Sequence, residues 1–205
     1  SSNDDTNSNG DPALLTLGFS DSLPEDLKEV VIEVDSISFS RSGTEAVVVN
    51  DFTIGGVEDL QTFKVDLLKY PGASQLVVIE DLELDAGTYE VSIAILDDDV
   101  NNSNVLEADD VRRALTVSGG VLTLQGMQLT AGSQAFTIEF GLAQALQFQT
   151  ATESYLLATN GIRIENNLTG ATLSGLIDST LFDTESPCRE KNPPTSGNRV
   201  YLYKG

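Results

Sequence analysis

The sequence contains no histidine and no tryptophan, and its 205 residues include a single cysteine, Cys188. Histidine is the commonest general base and the commonest metal ligand in proteins, so Ser-His-Asp triads, Cys-His pairs and the usual zinc sites are excluded. A lone cysteine forms no disulfide within the chain and says little about the redox compartment. Any hydrolytic chemistry would therefore depend on carboxylates alone.

Basic residues are also scarce, since 11 Lys and Arg stand against 32 Asp and Glu, which gives a formal charge of −21 and a pI near 4.1. A surplus of this size repels phosphate backbones and anionic lipid headgroups, so no nucleic-acid partner is expected. No apolar run approaches the roughly 20 residues that a membrane-spanning helix needs. The sequence therefore predicts no transmembrane segment.

Strand-like alternation is the dominant pattern of the chain, and it is clearest in residues 82–96. After a turn at Asp85-Ala86-Gly87, the side chains of Tyr89, Val91, Ile93 and Ile95 fall on one face, which is the period of a half-buried strand. Other segments alternate in the same way or are short apolar runs bounded by turns: Ala13–Ser20, Lys28–Ser40, Ala46–Val49, Phe52–Ile54, Thr62–Tyr70, Leu76–Ile79, Arg113–Val117, Val121–Leu124, Phe136–Phe140, Tyr155–Ala158 and Ile162–Glu165. Roughly ten short strands at this spacing predict an all-β fold, an antiparallel β-sandwich.

Two details of the pattern give sharper predictions. Within Lys28–Ser40 the buried parity changes between Val34 and Ile37, which indicates a bulge or bend near Asp35-Ser36. Leu142–Gln149 is compatible with a short helix or a strand, and we favour the strand because both flanking segments are strands and no clear helical face is present.

Three segments are expected along the chain. Residues 1–12 are small and polar and predict a flexible tether, which resembles the segment after the lipidated cysteine of bacterial lipoproteins and suggests a lipid anchor upstream of residue 1. Residues 13–166 form the β-sandwich domain. Residues 167–205 hold two further strand candidates, Ala171–Asp178 and Arg199–Tyr203, which either dock on the first sandwich or begin a second unit that continues past Gly205, where Cys188 would find its partner.

The densest group of oxygen ligands follows the strand that ends at Leu96. Its first members have the alternation of an EF-hand, but the required glycine is absent and Ala108 stands where the bidentate glutamate belongs. Two interpretations stay open, a solvated acidic loop and an irregular calcium site, and calcium is the only cofactor that the sequence suggests. The candidate calcium ligands are Asp97, Asp98, Asp99, Asn101, Glu107, Asp109 and Asp110.

Several motifs in order resemble the bacterial family of domain of unknown function 4382, of which the most specific is Leu84-Asp-Ala-Gly-Thr-Tyr89 followed by an apolar strand. The others are Leu15-Thr-Leu-Gly-Phe-Ser-Asp-Ser-Leu-Pro24, Val30-Val-Ile-Glu-Val34, Val65-Asp-Leu-Leu68, Tyr155-Leu-Leu157 and Ile162-Arg-Ile164. The resemblance covers about residues 13–166 and implies an exported, often lipid-anchored, β-rich domain without assigned catalytic residues. The segments Thr172–Asp178 and Val200–Tyr203 are similar to the opening of carboxypeptidase regulatory-like, transthyretin-like sandwiches.

Three functions are compatible with these observations. The favoured one is a non-catalytic module for binding, adhesion or scaffolding at the extracellular or outer-membrane surface of a bacterium, with a protein or glycan partner. The second is a subunit of an extracellular assembly that accepts a strand from its neighbour at an open sheet edge. The third, a carboxylate-dependent glycoside hydrolase, fits poorly because sugar sites are normally lined by aromatic side chains and the chain has only five Tyr and no Trp.

Overall fold

A computed structural model describes residues 11–22 and 26–167 of the chain. This part is built from strands, one short helix (α1, Leu142–Ala145) and two 3-10 turns, at Leu67–Lys69 and Ser118–Gly120. The strands are β1 Ala13–Ser22, β2 Leu27–Ser40, β3 Val47–Val49, β4 Phe52–Ile54, β5 Val57–Leu60, β6 Phe63–Asp66, β7 Leu76–Leu84, β8 Gly87–Leu96, β9 Asn104–Glu107, β10 Arg112–Val117, β11 Val121–Leu129, β12 Gly132–Gly141, β13 Leu146–Gln149, β14 Ser154–Leu157 and β15 Ile162–Asn166.

The strands form two main sheets, as the predicted all-β sandwich requires. One has four strands in the order β15-β12-β1-β7, and the other has nine, in the order β11-β8-β2-β9-β10-β14-β13 with β3 and β6 also paired to β2. The short strands β4 and β5 make a separate hairpin. The apolar faces of both sheets contribute to one buried core, because each half-apolar sheet needs a second layer to cover it. The predicted sandwich is confirmed.

Aromatic side chains join the two sheets at the centre of the core. Phe19 of β1 has no exposed surface and packs edge to face on Phe140 of β12, with ring centroids 5.3 Å apart. The Phe19 ring also lies 6.1 Å from Phe63, which belongs to β6 of the other sheet. Phe63 in turn packs edge to face on Phe52 of the hairpin at 4.8 Å. The hairpin is thus fastened to the core by its first residue.

Strand β2 is the axis of the large sheet. Along one edge it pairs with β8 and β9, and along the other with β3 and β6, all antiparallel. The register with β8 shifts between Val34 and Ser36, so the predicted bulge is confirmed. The apolar face of β8 is also confirmed, because Tyr89, Val91 and Ile93 are at most 4% exposed.

The pairing differs from the expected antiparallel arrangement at two places. Strand β1 runs parallel to β12, from Ala13 opposite Gly132 to Ser22 opposite Gly141, and β10 runs parallel to β14. Parallel neighbours need a long connection between them, and more than 100 residues separate β1 from β12. The strands are also more numerous than ten in the described chain, and several reach 9–14 residues.

Two local predictions are corrected. Residues 142–145 form one helical turn rather than a strand, because Leu142 and Ala145, three residues apart, are both buried on the same side. The strand predicted there begins only at Leu146. Within the acidic segment, Asn104–Glu107 forms β9, which buries Val105 completely against β2.

Some predictions lie outside the described residues. These are the tether at residues 1–10, the strand candidates Ala171–Asp178 and Arg199–Tyr203, and Cys188. Within the described ranges, no helix has the length and apolar character needed to cross a membrane.

Candidate functional site

The acidic segment leaves the large sheet as an insertion in one edge of β2. Leu96 at the end of β8 lies opposite Glu33, and Asn104 at the start of β9 lies opposite Val31, so residues 97–103 bridge two nearby points. Buried Ser103 closes the insertion: its hydroxyl donates to the Leu96 carbonyl at 2.7 Å and accepts the Glu33 amide at 3.1 Å. The sheet therefore fixes both ends of the acidic loop.

The candidate calcium ligands are distributed around this loop and the β9–β10 turn, and most of them already bind protein groups. Asp97 accepts the Val117 amide at 2.8 Å, Asp99 accepts the Asn101 amide at 2.7 Å, and Asp109 accepts the Val111 amide at 3.3 Å. Asp110 pairs with Lys28. Asp98 is exposed. The bonds of Asp99 and Asp109, each from an amide two residues further along the chain, are those that Asx residues usually make in turns.

Glu107, the last residue of β9, belongs to a cluster on the β10–β14 side. Its carboxylate pairs with Arg113 and accepts the Tyr155 hydroxyl at 3.0 Å. Burial, followed by the hydrogen bond to Glu107, raises the pKa of Tyr155, and the same carboxylate raises the pKa of Arg113 through its hydrogen bond. Arg113 also lies over the Phe148 ring at 5.4 Å.

Among residues 11–22 and 26–167, no three Asp, Glu, Cys or His side chains converge in an arrangement that could hold a metal ion. Calcium at Asp97, Asp99, Glu107 or Asp109 would share carboxylates that already accept N–H or O–H donors. The calcium site stays a prediction.

The segment with the strongest family resemblance, Leu84–Tyr89, forms the turn between β7 and β8, and side-chain hydrogen bonds stabilise this turn. Arg41 donates from Nη1 to the Ala86 carbonyl at 3.0 Å and from Nη2 to the Asp85 carboxylate at 3.1 Å. Its guanidinium lies over the Tyr89 ring at 5.7 Å, and the Tyr89 hydroxyl donates to the Asp85 carbonyl at 2.8 Å. We call Arg41, Asp85, Ala86 and Tyr89 the turn clamp.

The turn clamp explains two residues of the motif. A Cβ atom at Gly87 would lie 3.0 Å from Arg41 Nη1, so the absence of a side chain lets the guanidinium reach the turn. Tyr89 is 4% exposed, and burial raises its pKa although the charge of Arg41 acts in the opposite direction. The motif therefore stabilises the β7–β8 connection.

A cleft of about 760 Å³, which we call the β7 cleft, opens beside the four-stranded sheet. Its first wall is the outer edge of β7, from Val77 to Glu83. Strand β7 is the terminal strand of its sheet, paired only to β1 among the described residues. The side chains of Val78 and Ile79 are buried, since these residues are at most 7% exposed. They therefore line the cleft chiefly with main-chain atoms.

The second wall of the β7 cleft is the segment from Val49, the last residue of β3, to Thr53 of β4. Val49, Asp51 and Thr53 face the cleft at every second position, as the pleat of an extended chain dictates. The hairpin turns at Gly55-Gly56, whose φ angles of 58° and 82° are the left-handed values that a two-residue turn of this type requires. Phe52 points the other way, into the core.

The β7 cleft is acidic. Asp51, Glu80, Asp81 and Glu83 line it, all four are exposed, and none belongs to an ion pair found in the described chain. Asp81 occupies a bulge of β7 with φ of 51°. The twelve lining residues include no aromatic side chain and no basic one. An unneutralised group of carboxylates therefore borders an unpaired strand edge.

The β7 cleft was not predicted from the sequence. Leu76–Ile79 is a short apolar run, and such a run does not indicate which sheet the strand joins. A usable signal was present in Glu80-Asp81-Leu82-Glu83, since charged residues within a strand are typical of a sheet edge. The hairpin wall carries no comparable signal, because its contact with β7 depends on the tertiary fold.

Comparison with known proteins gives one match. A family model described as a domain of unknown function (DUF4382) matches residues 12–159. No curated protein and no solved structure matches the sequence.

Proposed function

The chain belongs to the family described as a domain of unknown function, DUF4382, and on that premise we propose that it is a non-catalytic binding module of the bacterial cell surface that holds an extended polypeptide segment in the β7 cleft. The observation that carries this proposal is the unpaired edge of β7 along one wall of a 760 Å³ cleft. Unpaired N–H and C=O groups of an edge strand are a template for an added strand.

The lining of the cleft favours a polypeptide over a glycan. Sugar-binding sites rely on aromatic faces, and the twelve lining residues have none. A strand edge instead offers main-chain donors and acceptors that another extended backbone can match. The absence of histidine from the sequence also supports a role without acid–base catalysis.

The cell-surface location is part of the proposal and is supported by the polar composition of residues 1–12, which resembles a lipoprotein tether. Growth of cells that express the full-length precursor with a labelled fatty acid tests the anchor. Incorporation of label is expected, and its absence would remove the lipid anchor.

Binding in the β7 cleft is tested by selecting peptides from a random displayed library on the full chain and measuring their affinity for two variants. Thr53→Trp places a bulky side chain in the cleft, whereas Val111→Trp adds the same side chain at an exposed valine outside it. We expect Thr53→Trp to weaken the selected peptides at least about tenfold, a loss of about 1.4 kcal/mol, and Val111→Trp to have no effect. Equal affinity for both variants would overturn the proposal.

An unpaired edge by itself would also permit a second function, self-assembly by strand addition between copies of the chain, although the carboxylates of this edge oppose it. Light scattering over a wide range of protein concentration tests it, with the Thr53→Trp variant as the control. Association that disappears in Thr53→Trp would support self-assembly, and monomers at every concentration would remove it.

A further inference from the structure

We propose that the β7 cleft selects a cationic extended segment, in which β-branched residues alternate with Lys or Arg, and that it rejects a second copy of this acidic chain. This inference rests on the proposed function, because it names the chemistry of the segment that adds to β7.

The charge of the partner follows from the four carboxylates of the cleft. Asp51 lies on the hairpin wall, and Glu80, Asp81 and Glu83 lie on the β7 wall, so negative charge borders an incoming strand on both sides. Five Arg and Lys side chains make the ion pairs of the described chain, and their acidic partners all lie elsewhere. Complementary charge on the partner would supply the missing cations and also speed the encounter.

The alternation of the partner follows from the geometry of an added strand. Successive side chains of a strand point to opposite faces of the sheet, so every second side chain of the partner lies beside the β7 side chains of the same face. Val49 and Val77 provide apolar surface within the cleft, and Val77 is 38% exposed. Basic residues at every second position lie beside the exposed carboxylates Glu80 and Glu83, and β-branched residues at the positions between them favour the extended backbone.

The same carboxylates act against self-pairing. Charged side chains on an edge strand are a common means of preventing association between identical sheets. A second copy that paired through the same edge would place its own Glu80, Asp81 and Glu83 in a cleft that has no basic side chain. The net charge of −21 on each copy would add to this repulsion. Like charges opposed across a strand pair destabilise it. The carboxylates therefore disfavour pairing of the β7 edge with a second copy of the chain and favour pairing with a basic partner.

The test uses four fluorescent synthetic peptides of eight residues on the full chain: four repeats of Val-Lys, of Val-Ser or of Val-Glu, and a Lys-Pro peptide with the same charge as the first. Proline lacks the N–H that an added strand donates, so the last peptide measures bulk attraction alone. Anisotropy titrations give the affinities at low and high salt. We expect Val-Lys to bind about tenfold or more tightly than Val-Ser and Lys-Pro, and to weaken as salt rises.

Two matched triple variants locate the charge effect. Glu80→Gln/Asp81→Asn/Glu83→Gln neutralises the β7 wall, and Asp11→Asn/Asp26→Asn/Asp35→Asn removes the same charge from exposed positions outside the cleft. Exposed ion pairs contribute about 0.2–1 kcal/mol each, so the first variant is expected to weaken Val-Lys binding by roughly 3- to 100-fold. The second is expected to change it less than about twofold.

The outcomes separate the two proposals. Equal affinity for Val-Lys and Val-Glu would overturn the cationic selectivity and leave strand addition standing. Equal affinity for Val-Lys and Lys-Pro, or an equal loss in both triple variants, would show attraction by net charge and would overturn the inference. No binding of any Val-containing peptide, together with failure of the peptide selection, would overturn the proposed function itself.

Discussion

Replacing Arg41 by methionine tests whether the turn clamp stabilises the β7–β8 connection. Methionine keeps an unbranched apolar stem, so the change removes the guanidinium and its contacts with Asp85, Ala86 and Tyr89. The ion pair contributes little, about 0–1 kcal/mol, because the Asp85 side chain is 80% exposed. The contact with the Tyr89 ring adds about 0.5–1 kcal/mol. With the bond to the Ala86 carbonyl, we expect a total loss of about 1–2 kcal/mol in the free energy of unfolding.

The matched control is Arg163→Met. Arg163 makes ion pairs of 3.0 Å with Glu139 and Glu165, but its side chain is 62% exposed and contacts no aromatic ring among those found in the described chain. Because exposed ion pairs are weak, we expect Arg163→Met to cost about 0.5 kcal/mol or less.

Urea unfolding of the two variants, of Tyr89→Phe and of the Arg41→Met/Tyr89→Phe pair gives the comparison. Tyr89→Phe removes the hydroxyl that donates to the Asp85 carbonyl and is expected to cost about 0.5–1.5 kcal/mol. The double variant is expected to show a coupling of about 0.5–1 kcal/mol, since the two side chains are in contact. Equal losses in Arg41→Met and Arg163→Met, with no coupling to Tyr89, would refute the role assigned to the clamp.

Three further predictions concern packing, pH and calcium. Gly141→Ala is expected to cost about 1–3 kcal/mol, because its Cβ would collide with the Gly161 carbonyl oxygen, which is part of the main chain. Gly18→Ala would meet the Gln75 side chain, which can move, and is expected to cost less. Urea unfolding of the two variants gives the comparison. The raised pKa of Tyr89 and Tyr155 means that the unfolded chain loses these protons first, so stability should hold below pH of about 10 and fall as the pH rises through the folded-state values. Replacing both residues by Phe should flatten that fall, and an unchanged slope would contradict it. A calcium site in the acidic loop predicts a higher Tm in calcium than in chelator, lost in Asp98→Asn/Asp99→Asn, and equal Tm values would remove the site.

Strand positions could be predicted because the alternation of buried residues is a local property of the sequence. The face of Tyr89, Val91 and Ile93, the bulge near Ser36 and the strand Phe52–Ile54 all follow from side-chain parity alone. The pairing partners could not be predicted in this way. The parallel pairing of β1 with β12 brings together segments more than 100 residues apart, and no local pattern encodes it.

The candidate site shows the same division. Residues 97–110 were predicted as a candidate site because they are rich in oxygen ligands. The sequence does not say where each carboxylate points, and Asp97 and Glu107 accept hydrogen bonds from different strands. The β7 cleft depends on which strand ends the sheet and on where the hairpin folds back. Both are tertiary facts, although Glu80-Asp81-Leu82-Glu83 carried a local sign of an edge.

The claim that an extended segment adds to the edge of β7 is tested most directly by amide hydrogen exchange of the full chain with and without the Val-Lys peptide. An added strand would bond the outward main-chain groups of β7, so slowed exchange is expected within residues 77–83 and along the facing wall at residues 49–53. The terminal strands β11 and β13 of the large sheet should exchange at an unchanged rate. Slowed exchange at those strands, or none in β7 while the peptide is bound, would contradict the claim.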